Sequence, residues 1–342
     1  MSKILYIGDL NEYGRGFLRY RTLKEMGHQV VAYTHTKVSS ANHIELPSFL
    51  CRVFWKLRIP LDDMRVNSKI VNSLSSDSFD IVWIEKGNMI KPWTLKTIKK
   101  LAPDARLISC SEDDMYAPHG HSLWYRLGLK WYDTVFTTKT YNMLELRQFG
   151  AKRTVLFLDS YDENLHKPMQ LNAEELARYS CDVSAIGAFE PKRAASLLFL
   201  AEHGVQVTIW GNGWGPWVNR HKNLVVKNEF LFGSDYAKAI FASKINLNFL
   251  RKVNRDQVTS RSVEIPACEG FMLGERTERH LEFFKEGQEA EFFDSNDELL
   301  AKVRYFLGHP EERIKIARAG RNRCWNSGYS MREQLKEIIK AA

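Results

Sequence analysis

Two carboxylates at a fixed spacing mark the stretch DQVTSRSVEIPACEGFMLGE, residues 256–275. Asp256 comes first, Glu264 follows eight positions later, and small residues then lead into an apolar strand. A carboxylate entering a core is costly unless donors bond to it, and the vicinal hydroxyl groups of a sugar are suitable donors. A structural role is the alternative, in which Asp256 caps a helix and Glu264 pairs with Arg261 or Arg255.

A second group of residues could hold a phosphate group. GAFEPKR (187–193) follows a predicted strand and opens a helix at Pro191. Free N–H groups and the helix dipole at that end, together with Lys192 and Arg193, suit a diphosphate. A solvated helix start is the alternative for Arg193.

Two further glycine-rich turns follow predicted strands. GNGWG (211–215), which contains Gly211, Asn212 and Gly213, would let a ligand approach the backbone closely. GDLNEYGRG (8–16), which contains Gly14 and Arg15, precedes a helix but lacks the G-x-G-x-x-G spacing of a dinucleotide-binding turn. On its own the second turn is weak evidence for a phosphate site.

Acids and histidines are concentrated in CSEDDMYAPHGHS (110–122), again after a predicted strand. Asp113, Asp114, His119 and His121 could act as a general base, orient hydroxyl groups or bind a metal. A loop built from caps and turns is the structural alternative. Glu85, at the end of the strand in WIEKG, is another catalytic candidate, with a structural role as its alternative.

Short β-branched runs alternate with amphipathic segments along the chain, which predicts parallel, doubly wound sheets. In the first half, strands are predicted at 3–8, 29–33, 79–85, 105–110, 133–138 and 153–158, and helices at 17–27, 92–102 and 141–150. After a polar break the pattern restarts, with strands at 181–187, 205–210, 244–250, 271–274 and 289–293, and helices at 191–204, near 235–243, near 295–307 and near 309–321.

The chain of 342 residues is long enough for two domains. We expect a first domain at 1–160, a linker at 161–180, a second domain at 181–325 and a C-terminal helix at 326–342 that packs back towards the first domain. The five cysteines are scattered without metal-ligand spacing, and no apolar run approaches the length of a membrane span. These features favour a cytoplasmic protein with reduced thiols.

Positive charge is concentrated in the first half. Residues 1–160 contain 23 Lys and Arg against 16 Asp and Glu, whereas the second half is nearly balanced. This excess favours an anionic partner such as nucleic acid, a phosphorylated glycan or a membrane surface. A Lys-rich solvated surface is the alternative.

The chain resembles the CgeB-like (spore-maturation-type) glycosyltransferases of the GT-B fold. The resemblance rests on DVSAIGAFEPKR (182–193), RSVEIPACEGFMLGE (261–275) and FFKEGQEAEFFDSNDELLAKVRYFL (283–307), and less strongly on the first half. It implies two Rossmann-like α/β domains facing each other across a cleft. It also implies transfer of a sugar from a nucleoside-diphosphate sugar to an acceptor hydroxyl.

The resemblance also assigns residues to the donor. Glu264 falls on the glutamate that accepts hydrogen bonds from the ribose hydroxyls. Asp256 falls on the acid that faces the donor sugar, one methylene shorter than the family pattern. Arg193 would hold the diphosphate with help from Lys192. Phe230 and Leu231, in KNEFLF (227–232), would line the base, although ordinary core positions are an equal alternative.

We therefore expect a retaining glycosyltransferase with no metal and no cofactor beyond its co-substrate, a UDP-sugar being the expected donor. The donor set comprises Gly14, Arg15, Lys192, Arg193, Gly211, Asn212, Gly213, Phe230, Leu231, Asp256, Arg261 and Glu264. Asp113, Asp114, His119 and Glu85 are the candidates on the acceptor side. The acceptor could be an anionic polymer such as DNA with hydroxymethylated bases, in the host cytoplasm if a phage encodes the enzyme. The alternatives are a cell-surface or spore polysaccharide, a protein acceptor, or a non-catalytic protein that binds nucleic acid or glycan.

Overall fold

The structure, a computed structural model, describes residues 1–37 and 48–342. It divides into two compact units. Unit 1 comprises Met1–Leu158 together with Met331–Ala342, and unit 2 comprises Asp159–Ser330. In the part of the chain that is described, no helix is both long and apolar enough to cross a lipid bilayer.

Unit 1 is built on a six-stranded sheet whose neighbouring strands are all parallel. Its elements are β1 (Lys3–Gly8), α1 (Arg15–Glu25), β2 (Gln29–Thr34), α2 (Phe49–Lys56), α3 (Val66–Ser76), β3 (Ile81–Glu85), α4 (Pro92–Leu101), β4 (Arg106–Ser111), α5 (Leu123–Gly128), β5 (Thr134–Thr137), α6 (Asn142–Gln148) and β6 (Thr154–Leu156). The strand order β2-β1-β3-β4-β5-β6 reverses direction between β1 and β3.

Unit 2 repeats this plan with a second parallel six-stranded sheet. Its elements are α7 (Ala173–Tyr179), β7 (Cys181–Ile186), α8 (Pro191–Glu202), β8 (Val207–Trp210), β9 (Leu224–Val226), α9 (Gly233–Ala242), β10 (Ser243–Asn248), α10 (Ser260–Ala267), β11 (Met272–Glu275), α11 (Glu278–Phe283), β12 (Glu291–Phe293), α12 (Asn296–Gly308) and α13 (Pro310–Asn326). The order β12-β11-β10-β7-β8-β9 reverses direction between β10 and β7. The predicted α/β architecture with parallel, doubly wound sheets is confirmed.

The last helix, α14 (Met331–Ala341), belongs to unit 1 and packs against α1. The hydroxyl of Thr22 in α1 lies 3.6 Å from the sulfur of Met331. The amide of Gln334 accepts a hydrogen bond from the backbone N–H of Leu158 at 2.8 Å. The apolar face of α14 is thereby buried on unit 1.

Several elements were not predicted from the sequence. In α3, Val66, Ile70 and Leu74 are buried at a helical spacing, but serine and asparagine dominate the remaining positions and obscure that signal. Helix α7 lies in the segment predicted as a linker, and begins at a capping box between Asn172 and Glu175 that predicts a helix start. Helix α10, for which the sequence analysis gave no bounds, begins at Ser260.

Close packing of α13 on α10 sets the position of α10 in unit 2. Gly320 of α13 lies close to both α10 and the residues before β12: an added Cβ would lie 3.3 Å from the Cβ of Pro266 in α10 and 2.3 Å from the carbonyl oxygen of Glu289. Gly308, at the end of α12, has open space around the same position. Both glycines are helical, and only one is constrained by a neighbour.

We expect Gly320→Ala to destabilise the protein by about 1–3 kcal/mol, since the methyl group must displace backbone. Helix propensity alone predicts the opposite sign, a gain of up to about 1 kcal/mol. Gly308→Ala is the matched control and should leave the free energy of unfolding unchanged or raise it slightly. Urea unfolding of the three proteins measures both effects, and equal behaviour of the two variants would contradict the close packing inferred at Gly320.

Candidate functional site

In unit 2 the loops that leave β7 and β8 are joined by close backbone contacts. The N–H of Gly187 donates to the carbonyl oxygen of Trp210 at 2.8 Å, and the indole N–H of Trp214 donates to the carbonyl oxygen of Gly187 at 2.8 Å. A Cβ on Gly211 would lie 2.0 Å from that same oxygen, and its φ is +145°. Glycine is therefore required at 211, so that the two strand ends approach closely.

The other two residues predicted in this turn lie beside the same loop. The carbonyl oxygen of Asn212 accepts a hydrogen bond from the N–H of Phe189 at 2.9 Å. Gly213 has a φ of +85°, and a Cβ there would lie 3.1 Å from the Cβ of Phe189. The structure thus brings the turn at 211–213 against the turn that precedes α8.

Arg193 lies where the strand order of unit 2 reverses, which is where ligands bind in open α/β sheets. It belongs to the first turn of α8, just beyond β7, and is only 6% exposed. Its guanidinium donates to the carbonyl oxygen of Ala188 and lies 5.9 Å from the ring centroid of Phe249, just beyond β10. The side chain therefore spans the loops after the two strands that flank the reversal.

A second guanidinium, that of Arg261, reaches the same backbone position. A Cβ built on Gly187 would lie 2.8 Å from Nη1 of Arg193 and 3.2 Å from Nη1 of Arg261. Burial, followed by the charge of Arg261, lowers the pKa of Arg193 to about 10, although Glu190 and Glu275 act in the opposite direction. A buried cation with a second, partly exposed cation beside it is costly unless an anion joins them. The arrangement is suited to a phosphate or diphosphate.

Lys192 lies next to Arg193 in the sequence, but its environment is different. Its side chain is 73% exposed and its ammonium group lies 3.8 Å from a carboxylate oxygen of Glu275. That carboxylate also lies 3.3 Å from the ammonium of Lys252 and accepts the N–H of Leu250 at 2.7 Å. The two residues predicted to act together therefore differ: Lys192 lies in solvent, whereas Arg193 is buried beside the end of β7.

Glu264 is buried on α10 and accepts a hydrogen bond from the hydroxyl of Tyr236 at 2.9 Å. Burial, followed by the negative charge of Glu264, raises the pKa of Tyr236 well above its usual range, while Arg261 acts in the opposite direction. The phenol therefore stays protonated and donates to the carboxylate. Sequence analysis missed Tyr236, which lies 28 positions before its partner.

Asp256 is also buried and accepts a hydrogen bond from the side-chain amide of Asn254 at 2.8 Å. It lies in the loop between β10 and α10. The N-cap position of α10 belongs to Thr259, so Asp256 does not cap this helix. The helix-capping role that the sequence allowed for Asp256 is therefore not observed at α10.

A buried hydrogen-bond chain fixes α10 against two strands. The side-chain amide of Asn248, at the end of β10, donates to the hydroxyl oxygen of Ser262 at 2.9 Å. That hydroxyl lies 2.7 Å from Nε2 of His280, whose Nδ1 lies 2.7 Å from the carbonyl oxygen of Glu275. Burial lowers the pKa of His280 to about 4, so the ring is neutral at neutral pH, donates through Nδ1 and accepts from Ser262.

The two residues predicted to line a nucleotide base have different environments. Leu231 is 5% exposed and packs in a small core with Tyr179, Trp210 and Ala239. Phe230 is 38% exposed, and its ring lies 6.2 Å from that of Phe232 in a stacked orientation. Leu231 thus has the core environment that the sequence left as an alternative, and only Phe230 presents a partly open aromatic face.

In unit 1, Glu85 lies beside the strand-order reversal, at the end of β3. One carboxylate oxygen accepts hydrogen bonds from the Tyr6 hydroxyl at 2.9 Å and from the Trp83 indole at 2.8 Å. The other accepts from the guanidinium of Arg19 at 2.7 Å. Because three side-chain donors occupy its two oxygens, Glu85 has the contacts expected of the structural alternative.

Arg15 and Arg19 converge on Glu112, at the start of the loop rich in acids and histidines. Burial alone would raise the pKa of Glu112, but the charges of Arg15 and Arg19 together outweigh it and lower the pKa to about 2. Gly14 precedes Arg15 as the N-cap residue of α1 and donates its N–H to the carbonyl oxygen of Asn11 at 2.7 Å. Arg19 and Glu112 were not predicted as site residues, because nothing in the local sequence links them.

The remaining candidates in that loop have different contacts. Asp114 is fully buried and accepts hydrogen bonds from the N–H groups of Tyr116 and Ala117 and from the amide of Asn142, so it shapes the loop. Asp113 pairs with Lys86 at 2.5 Å and remains partly exposed.

The two histidines of the loop also differ. His119 is exposed. His121 contacts Arg58, and burial, followed by that cation, lowers the pKa of His121 to about 4. Within residues 1–37 and 48–342, no three His, Cys, Asp or Glu side chains are grouped as a metal ion would require.

A family model described as glycosyl transferase-like matches residues 193–340, which include Arg193, Arg261 and Glu264. No curated protein sequence matches the chain. Several solved structures match its whole length, with low sequence identity.

HepE from Anabaena, in complex with UDP-glucose, has 13% identity and a TM-score of 0.64, with 100% of both chains covered. Sucrose-phosphate synthase from Thermosynechococcus elongatus has 11% identity and a TM-score of 0.65, with 100% of this chain and 99% of that chain covered. An alpha-glucosyltransferase in complex with UDP-glucose and DNA has 13% identity and a TM-score of 0.63, with 99% and 98% covered. Together with the two parallel sheets, these similarities show that the chain has the GT-B fold of glycosyltransferases.

Proposed function

We propose that this protein is a glycosyltransferase that moves a sugar from a nucleoside-diphosphate sugar, with UDP as the nucleotide, to an acceptor hydroxyl. One observation carries the proposal: the guanidinium groups of Arg193 and Arg261 meet at Gly187, beside the strand-order reversal of unit 2. The family model over 193–340 and the UDP-glucose complexes of two proteins with the same fold support it.

In this proposal the diphosphate binds to Arg193 and Arg261 at the start of α8. As the bond between the sugar and the diphosphate breaks, negative charge develops on the departing phosphate oxygens, and two preorganised guanidinium groups stabilise it. Gly211 allows the loop after β8 to pack against Gly187, which keeps the turn at 211–213 beside the proposed diphosphate site. Lys192 contributes only long-range charge.

The nucleoside and the sugar take the remaining residues. Glu264, held by Tyr236, accepts hydrogen bonds from the ribose hydroxyls. Asp256 faces the donor sugar, and the spacing of the two acids is the reason to propose retention of anomeric configuration. Phe230 lies beside the base. If the ligand lacks a hydroxyl group, the buried carboxylate that would accept its hydrogen bond is left unpaired. This cost is the physical source of the site's selectivity between ligands.

For the acceptor side we propose Asp113 and His119, which have solvent-accessible side chains. We prefer them to Glu85 and Asp114, because structural donors already occupy the oxygens of those two residues.

We further propose an anionic acceptor, with DNA containing hydroxymethylated bases as its concrete form. The positive charge of residues 1–160 favours it, and one protein with the same fold is solved with UDP-glucose and DNA.

The variant Arg193→Met tests the affinity for UDP without a large expected change in the stability of the protein. The variant keeps an unbranched side chain against Phe249 but removes a cation whose burial is costly, so its melting temperature without ligand should stay within a few degrees of wild type. Its affinity for UDP should fall by about 10- to 100-fold, the equivalent of one or two charge-assisted hydrogen bonds. Calorimetric titration with UDP measures the affinity.

Lys192→Met is the matched control on the neighbouring residue, and its affinity for UDP should change by less than about 3-fold, since exposed charges contribute little. Absence of UDP binding by the wild type, or an equal loss in both variants, would overturn the assignment of the diphosphate site.

The role proposed for Glu264 is tested with two nucleotides, UDP and 2′-deoxy-UDP. Wild type should prefer UDP by about 10-fold or more, because a carboxylate that binds a ribose hydroxyl loses its donor in the deoxy analogue. Glu264→Gln should reduce that preference to below about 3-fold. Glu269→Gln, which alters a carboxylate paired with Arg318 and Arg321, is the control and should keep the wild-type preference. An unchanged preference in Glu264→Gln would assign the ribose to other residues.

A DNA acceptor predicts a strong dependence on salt. Affinity for duplex DNA with hydroxymethylated bases should fall by about 100-fold or more between about 50 and 200 mM salt, because bound counterions are released from the phosphates. Hydrolysis of the UDP-sugar without acceptor is the control and should be nearly independent of salt over that range. Transfer to DNA that is indifferent to salt, or no transfer, would instead favour a polysaccharide or protein acceptor.

A further inference from the structure

Helix α2 of unit 1 is apolar and yet contributes no buried residue. Its sequence is FLCRVFWK; Phe49 is 71% exposed, Leu50 is 61% exposed, and Leu57, directly after the helix, is 61% exposed. A helix that is apolar on most sides is normally buried. Large apolar side chains that are exposed next to one another mark an interaction surface.

The exposed apolar surface continues from α2 onto α4 and α5. The carbonyl oxygen of Arg58 accepts the N–H of Leu123 at 2.6 Å, and the indole of Trp124 lies 5.5 Å from that of Trp93, in an edge contact. Trp93, Leu123 and Leu127 are themselves exposed. The exposed and partly exposed residues of segments 48–60, 91–102 and 121–132 therefore form one surface, which we call the α2–α4–α5 face.

The three segments of this face carry positive charges only, and two acids from outside them touch it: Asp63 lies 4.0 Å from the sulfur of Cys51, and Asp133 pairs with Lys99. The three segments contain nine Lys and Arg residues and no Asp or Glu: Arg52, Lys56, Arg58, Lys91, Lys96, Lys99, Lys100, Arg126 and Lys130. The rest of residues 1–160 contains 14 Lys and Arg against 16 Asp and Glu, so the face accounts for the whole positive excess of the first half. Lys99 pairs with Asp133, and the exposed Lys96 and Lys100 lie on the same helix.

We propose that the α2–α4–α5 face docks on the surface of an anionic lipid bilayer. Lysine and arginine side chains would contact the lipid phosphates and carboxylates, while Phe49, Leu50 and Leu57 enter the boundary between headgroups and acyl chains. Exposed tryptophans such as Trp55 and Trp93 suit that boundary, because an apolar ring carries one polar N–H group.

The apolar residues favour a bilayer over nucleic acid as the partner. In duplex DNA the bases are paired and the phosphates form the outer surface, so its contacts are made mainly by cations, whereas acyl chains offer phenylalanine and leucine side chains a larger apolar partner. An interfacial helix needs both, since neither anionic attraction nor a small apolar area is sufficient alone. The inference concerns unit 1 only and does not depend on the UDP site proposed in unit 2.

The test is co-sedimentation of the full chain with vesicles of two compositions. Binding to phosphatidylcholine vesicles that contain about 30% phosphatidylserine should exceed binding to pure phosphatidylcholine by about 10-fold or more, because each cation near an anionic surface adds to the attraction. The double variant Phe49→Ser with Leu50→Ser should lose about 10-fold or more of that binding, as buried apolar area is removed. UDP affinity of the variant is measured in parallel and should equal that of wild type.

Trp325→Ser, which removes an equally exposed aromatic residue from unit 2, is the control and should bind vesicles as wild type does. Four results would overturn the proposal. One is equal binding to both vesicle types. The second is vesicle binding that the double variant retains. The third is sedimentation velocity showing a dimer that the double variant dissociates, which would assign the face to a second copy of the chain. Binding to duplex DNA that the double variant loses, without vesicle binding, would assign the face to nucleic acid.

Discussion

A buried arginine with a second cation beside it, at one strand end, is the constraint on which the candidate site in unit 2 depends. Arg193 and Arg261 both reach the backbone at Gly187, and their mutual repulsion adds to the cost of removing Arg193 from water. Part of that cost is offset within the chain by the carbonyl of Ala188 and by Glu190 and Glu275. A depressed arginine pKa means that the protonated side chain is poorly compensated, and an anionic ligand would complete the compensation. In the proposed site, the same feature that lowers the stability of the unliganded protein would favour the binding of a diphosphate.

Such a pair requires rigid surroundings, and the fold supplies them by close backbone packing. The loops after β7 and β8 approach so closely that only glycine fits at 211. Helix α10 is fixed from two sides, by Gly320 of α13 and by the chain of hydrogen bonds through Ser262 and His280. Because His280 is neutral, that chain adds no further charge near the arginines. Glu264 is held in place by this arrangement and by Tyr236.

The sequence predicted the alternation of strands and helices well, because apolar periodicity and glycine turns are local signals. Arg193 could be selected because a residue in the first turn of a helix after a parallel strand lies at the ligand-binding edge of the sheet. Its distinction from Lys192 could not be predicted, since burial of one and exposure of the other depend on Phe249 and Glu275. Tyr236, Arg19 and His280 were missed for the same reason: each acts through a contact that strand order creates between distant segments.

The net charge of the first half illustrates how composition alone leaves a function open. Its positive excess was compatible with nucleic acid, a phosphorylated glycan or a membrane surface, and it is the main physical reason to propose DNA as the acceptor. The structure shows that the excess lies on the α2–α4–α5 face, interleaved with exposed Phe49, Leu50 and Leu57. The rest of residues 1–160 carries a small negative excess, so a polyanionic acceptor must bind this face or find local cations elsewhere. If the face binds lipid, the charge argument for DNA no longer applies, and an acceptor at the membrane surface becomes the better expectation. The position of the charges relative to the apolar surface, and not the total charge, therefore distinguishes the DNA hypothesis from the lipid hypothesis.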